Sequence, residues 1–207
     1  MVLSPALPYR SAQTVPGHTR WHPEIPAVAE VISGGSVRME CQGTWGRDAL
    51  LCGPLAVVGA EPGDLIVVDV LAIGRLDGGP SGDSHPGVIG CAPGDEDLPS
   101  PGELDGSLLG RVRPGLAAYQ PVAARAVRSS ARDDIGSCAE VRLTAGSRIV
   151  LPVQVRGAKL SVGDLHFAGD PLQGCRTLDG WIDVRVNLTK RGVERFQVTG
   201  PLLMPAA

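Results

Sequence analysis

Apolar positions in this chain fall in short runs that stop at Gly and Pro, a pattern of strands rather than long helices. Val37-Arg38-Met39-Glu40-Cys41 alternates and predicts a half-buried strand. Pro54 to Ala60 and Leu65 to Ile73 are continuous and rich in Val, Ile and Leu, which predicts buried strands. His85 to Pro93 predicts a short strand between turns. Further strands are predicted over Glu140–Leu143, Arg148–Val155, Lys159–Phe167, Trp181–Leu188 and Arg195–Leu203. The Ala/Arg-rich stretch Leu116–Ala131 is the best helix candidate, and Pro121 confines a helix to the residues after it. Residues 1–20, rich in Pro, Ser and Thr, are expected to lie extended on the surface. Trp21-His22-Pro23-Glu24-Ile25-Pro26 cannot be helical, because each proline restricts itself and its predecessor. Residues 94–114 read as loop. The expected fold class is mainly β: two similar β-units packed as a sandwich or barrel-like single domain over residues 1–207, with one or two short helices.

The two-unit expectation comes from an internal likeness, about 30–76 against 140–188. Glu30-Val31-Ile32-Ser33-Gly34-Gly35-Ser36-Val37-Arg38 resembles Glu140-Val141-Arg142-Leu143-Thr144-Ala145-Gly146-Ser147-Arg148. Pro54–Ala60 resembles Pro152–Ala158. Each copy runs on to Gly-Asp-Leu, at Gly63-Asp64-Leu65 and Gly163-Asp164-Leu165. Both are read as turns, in which Gly accepts positive φ. The first copy continues into pure core, Leu65-Ile66-Val67. The second continues Leu165-His166-Phe167. The shared aspartate is therefore read as structural, and His166 as the added polar group.

Composition narrows the function classes. The 207 residues suffice for one large domain or two small ones, and 43% hydrophobic content can bury a core. A net charge of −3 without a basic block argues against nucleic acid. No apolar run reaches the length of a membrane span, and no signal peptide is visible, so a cytoplasmic protein is expected. The five cysteines, Cys41, Cys52, Cys91, Cys138 and Cys175, are odd in number and lack a CxxC pair, which argues against a disulfide framework or a zinc finger.

Candidate chemistry centres on Asp164 and His166. Two apart on a strand, they face one side, and a carboxylate beside an imidazole can hold a metal or orient a base. The plainer reading is a turn aspartate and a part-exposed histidine. His85, before Pro-Gly, is a second imidazole that can meet His166, or a solvated loop residue. His22 reads as a structural contact. Asp133 and Asp134 are paired carboxylates, either an acid/base group or exposed charge at a helix end. Cys138 can pair with His166 as a nucleophile, or simply pack.

With these pieces in place, the chain resembles the acetamidase/formamidase family. The likeness lies in Arg20-Trp21-His22-Pro23-Glu24-Ile25-Pro26, Gly53-Pro54 through Gly63-Asp64, His85 to Pro93, Gly146-Ser147 through Val153, Gly163 to Phe167, and Gly180-Trp181-Ile182-Asp183. These blocks are collinear over most of the chain. The resemblance implies a mostly β enzyme that hydrolyses small linear amides to a carboxylic acid and ammonia, in a family associated with bound metal. It also places Glu61 near the pocket. Several places depart from the family pattern. The middle, Ala92 to Asp133, is shortened. Ala49 stands where the family has a histidine, and Asp134 where it has another. Ser137 and Ala139 replace an Asn and an Asp, and Gln173 falls where a Glu is expected. A metal needs about three protein ligands. The expectation is therefore no bound cofactor, with at most a weak divalent site.

Three functions are open to such a chain. One is a divergent amide hydrolase acting on a small C–N substrate. The second is a metal-independent acid/base enzyme, a lyase, isomerase or cyclase of a biosynthetic pathway, on the same scaffold. The third is a non-catalytic binding subunit. The candidate catalytic residues are His166, Asp164, His85, Asp134 and Cys138. The expected partner is a small-molecule substrate, with neither nucleic acid nor membrane. A homodimer is expected from the β-edge such a sandwich must cover.

Overall fold

A computed structural model describes residues 17–43, 50–98, 110–111, 127–128, 142–167 and 178–206. Thirteen strands are described: β1 (Gly17–His18), β2 (Arg20–Trp21), β3 (Ala29–Val31), β4 (Gly35–Cys41), β5 (Leu51–Val57), β6 (Leu65–Arg75), β7 (His85–Gly90), β8 (Gly110–Arg111), β9 (Val127–Arg128), β10 (Arg148–Pro152), β11 (Leu160–His166), β12 (Gly180–Thr189) and β13 (Leu202–Met204). A single described α-helix, α1, covers Gly192–Phe196. No described helix is long and apolar enough to cross a membrane.

The strands form two main sheets. One runs β7-β11-β5-β1-β8, with β3 added to β5; the other runs β13-β10-β6-β12-β4. Their facing sides close one core, in which Val57, Val162 and Leu165 from the first sheet meet Ile66, Val68, Ile149, Ile182, Val184 and Val186 from the second. The Val/Ile/Leu runs seen in the sequence fill it, because branched side chains suit a pleated, buried surface. Cys41 of β4 and Cys52 of β5 form a disulfide that joins the two sheets, a pairing that the odd, scattered cysteines did not announce.

The strands of the two expected units interleave. β5 pairs with β11, and β10 with β6, so each pair takes one strand from either half. Pro54–Ala60 and Pro152–Ala158 touch, with the Val57 amide donating to the Gly157 carbonyl and the Gly157 amide to that of Ala60. The two Gly-Asp-Leu tripeptides differ. Leu65 opens β6 opposite Pro152, whereas Leu165 lies near the end of β11 opposite Pro86. Asp64 sits in a turn, buried, taking hydrogen bonds from the Glu61 and Arg191 amides and from Lys190 Nζ. Asp164 lies within β11 instead of in the expected turn.

Other expectations are corrected. Gly17–His18 and Arg20–Trp21 are buried strands, not surface chain, because this segment lies across the first sheet and pairs with β5 and β9. Val127 and Arg128, inside the helix candidate, are extended against Arg20–Trp21; the rest of that candidate lies outside the described residues. Leu143 is buried without regular strand structure. Arg195–Leu203 does not form a strand. Arg195 closes a helical turn back to the Arg191 carbonyl, Gln197 turns left-handed, and pairing resumes only at Leu202.

Candidate functional site

The site lies on the outer face of the first sheet. β11 would alternate strictly were it regular, but Asp164 has φ 57°, a left-handed conformation that Asp tolerates better than most residues. That break lets Val162 and Leu165, three apart, both face the core, and it turns His166 outward. His166 Nε2–H donates to Asp164 Oδ2 at 3.2 Å. β7 supplies the second imidazole. His85 lies directly opposite His166 in the antiparallel register, and the rings stack with centroids 5.1 Å apart and planes 20° apart. Gly87, close to Asp164, leaves the space for this: a Cβ there would stand 2.5 Å from Asp164 Oδ2 and 2.8 Å from His166 Nε2.

The two imidazoles are pushed in opposite directions. The hydrogen bond to Asp164 is the main cause that raises His166 above the usual histidine value, with the carboxylate charge adding and burial opposing. Burial is the main cause that lowers His85; the Pro86 carbonyl opposes it, and the charges of His166 and Arg142 add to it. His85 Nδ1 lies 3.3 Å from the Pro86 carbonyl and donates to it, which leaves the Nε2 lone pair unprotonated. The pair is thus one imidazole biased towards its neutral form beside another that a carboxylate biases towards its charged form.

A packed apolar row continues the same face. Leu51 of β5 and Val88 of β7 both pair with Gly163, and Trp21 closes over them as a cluster separate from the main core. Trp21 is placed by its neighbour His18, whose ring meets it edge-on at 6.0 Å. His18 Nδ1 donates to the Arg20 carbonyl at 2.7 Å, and Nε2 accepts from Ser161 Oγ at 3.0 Å. Burial lowers the His18 pKa to about 4, so the ring is neutral. Lys159 Nζ donates to the Pro23 and Ile25 carbonyls and ties down the segment beyond Trp21. No motif links His18 with Ser161, 143 positions apart, or marks Trp21 as part of the site.

The structure therefore brings together His85, Asp164 and His166. Asp133, Asp134, Cys138 and Cys175 lie outside the described residues. His22 is buried, and its Nδ1 accepts from the Glu24 amide, a structural role. Glu61 pairs with Arg156 on the surface at 3.5 Å. For the metal that the resemblance implies, the described residues do not fit. Asp164 Oδ2 and His166 Nε2 are engaged with each other, and among the described residues no group of three His, Cys, Asp or Glu side chains is placed to hold one ion. The remaining family donor places carry Ala49, Asp134, Ser137, Ala139 and Gln173, of which only Asp134, outside the described residues, is a strong metal ligand.

Two packed, mostly antiparallel sheets carry a stacked histidine pair, one member of it held by a carboxylate, on an outer face of a mostly β scaffold. The chain belongs to the acetamidase/formamidase family, whose model matches residues 8–82 and 78–207. It is 31% identical to a formamidase of Methylophilus methylotrophus, covering 91% of this chain and 68% of that protein. It is 32% identical to an acetamidase of Mycolicibacterium smegmatis, covering 93% and 71%. The first alignment runs over 276 residues against 207 in this chain, so that relative carries insertions that are absent here. Among solved structures it resembles a gamma lactamase from Delftia acidovorans, with TM-score 0.70, 26% identity, and coverage of 92% of this chain and 68% of that one.

Proposed function

We propose that this protein hydrolyses the C–N bond of a small amide to a carboxylic acid and ammonia, with His85 and His166 as the acid–base pair. The observation that carries the reading is the opposite tuning of two stacked imidazoles. Titratable neighbours pushed apart in pKa mark a base and an acid. His85 Nε2 removes a proton from water, and the oxygen attacks the amide carbon. His166, as the imidazolium, gives its Nδ1 proton to the leaving nitrogen while Nε2–H stays on Asp164. Asp164 orients the ring and favours its charged form. The likeness to proteins named formamidase, acetamidase and gamma lactamase supports a C–N substrate. No step is routed through a metal, because the described residues do not fit one.

The same pair also suits elimination or isomerisation, which release no ammonia. The test is ammonia release from formamide, acetamide and larger amides by the purified protein and by His166→Ala. Release by the wild type and at least a 100-fold loss in the variant is expected, on the order of the usual worth of a general acid. A wild type that releases no more ammonia than His166→Ala overturns the amidase reading.

A further inference from the structure

Arg142 is a cation without a counter-ion beside the site. It is exposed, and among the described residues it makes neither a hydrogen bond nor an ion pair. Arg38, Arg148, Arg156 and Arg191 each pair with a carboxylate, at 2.7, 2.6, 3.5 and 2.7 Å. The next residue, Leu143, is fully buried in the core between the sheets. The backbone is therefore pinned at this point, and the exposed guanidinium is rooted at a fixed place on the surface.

That charge reaches the stacked imidazoles, since it is one of the causes that lower His85. Charges near the surface act over about one Debye length, roughly 8–10 Å, so the guanidinium stands within the span of one small molecule from the pair. Among the described residues, Asp164 is the only carboxylate whose charge acts on either ring, and its Oδ2 is engaged by His166. The cluster thus sets Arg142 and, when protonated, His166 against one carboxylate, an excess of positive charge. It is also open to a ligand: the side chains of His166 and Asp164 are 45% and 30% exposed.

We propose that Arg142 binds a carboxylate carried by the substrate, and that the preferred amide is the monoamide of a short dicarboxylic acid. The proposal rests on the amidase reading and adds the substrate class to it. A guanidinium is always charged, and its planar fork matches a carboxylate through two parallel N–H···O bonds. By ordinary bond lengths, the amide and carboxylate carbons of a four- or five-carbon monoamide lie about 4–5 Å apart. A charge-assisted contact of about 3 Å at the far end brings the whole span to the distance over which Arg142 acts on the pair. The amide group then lies at His85 and His166 while its other end is anchored, and the excess positive charge draws the anion in from solution. A neutral amide of equal length gains none of this.

The experiment compares ammonia release from succinamate and from butyramide, a neutral amide with the same number of carbons. Wild-type kcat/KM is expected to be at least about 10-fold higher for succinamate, the usual worth of a hydrogen bond to a charged group. In Arg142→Gln that ratio is expected to fall below about threefold. The ratio is read because loss of the Arg142 charge also raises His85, which alters both substrates alike. The proposal is overturned if the wild-type ratio is already below threefold. It is also overturned if Arg142→Gln leaves the ratio unchanged, as it would were Arg142 to hold only the carboxylate that hydrolysis forms from either amide. Should the wild type release no ammonia from any amide, the amidase reading falls alone, and binding decides this one. His85→Gln assigns the His85 ring signals in NMR, among those of four histidines, by their disappearance. Succinamate, and not butyramide, is expected to raise the pH midpoint of those signals in the wild type by neutralising Arg142, and to leave it unmoved in Arg142→Gln. Equal midpoints with the two amides in the wild type remove the carboxylate site.

Discussion

Acidification should weaken this fold through His18, by an amount the structure allows to be worked out. The ring is buried and neutral in the native state, with a pKa lowered from 6.5 to about 4. In the unfolded chain it titrates near 6.5, so between these values the unfolded state binds more protons. Stability from this group is therefore complete above pH 6.5 and is lost as pH falls towards 4. One pKa unit corresponds to about 1.4 kcal/mol, so moving from about pH 7.5 to about pH 4.5 should cost about 2.5 kcal/mol through His18 alone. The measurement is urea unfolding at the two pH values, for the wild type and for the double variant His18→Leu with Ser161→Ala. The second substitution avoids leaving the serine hydroxyl unpaired. The variant's overall loss of stability is common to both pH values and cancels. So do the contributions of Asp64, His85 and His166, which titrate in both proteins. The wild type should lose about 2.5 kcal/mol more than the variant over this range. Equal losses would show that His18 is not a buried neutral ring, and the account of how Trp21 is held would go with it.

Three further outcomes are expected. The pH profile of kcat/KM should be bell-shaped, falling below the lowered value of His85 and above the raised value of His166; Asp164→Asn should move the alkaline limb to lower pH, read from initial rates of ammonia release. Gly87→Ala should cut activity sharply and also lower the melting temperature, because the added methyl would stand within 3 Å of Asp164 Oδ2, of His166 Nε2 and of the Asp164 backbone carbonyl, so side chains and strand must both shift. Asp64→Ala should cost about 3 kcal/mol in urea unfolding at neutral pH, since it orphans the Glu61 and Arg191 amides at a buried turn.

The sequence reads most clearly where one local rule decides the outcome. Leu65–Ile73 and Trp181–Leu188 are dense in β-branched residues and form the long central strands β6 and β12. His85 and His166 stand out as polar groups at the edges of apolar runs, and they stack. Strand alternation puts Asp164 and His166 on one face. They do touch, although a left-handed aspartate is what breaks the alternation of β11 there. Features that depend on distant contacts are not legible. His18 and Ser161 have no common motif, and Gly17–Arg20 looks like surface chain because Pro, Ser and Thr dominate the residues before it. The likeness of two Gly-Asp-Leu tripeptides is a likeness of letters, since strand register sets Leu65 opposite Pro152 and Leu165 opposite Pro86. Arg195–Leu203 fails as a strand for a local reason: its few apolar residues are overruled by the left-handed Arg191 and Gln197 that frame a helical turn.

The interleaving of strands constrains how the chain can be made. Within the second sheet, β4 has only β12 as a neighbour among the described strands, and β6 is flanked by β10 and β12. A ribosome that has released only the segment up to β7 therefore exposes two long strands that lack their sheet neighbours. β6 gains its first neighbour with β10, but its second, and the neighbour of β4, must wait until Thr189, the last residue of β12, has cleared the exit tunnel. Until then, the apolar edge of β6 is open to other nascent chains, and low temperature or slow induction should raise the soluble yield more than any single substitution on the finished surface.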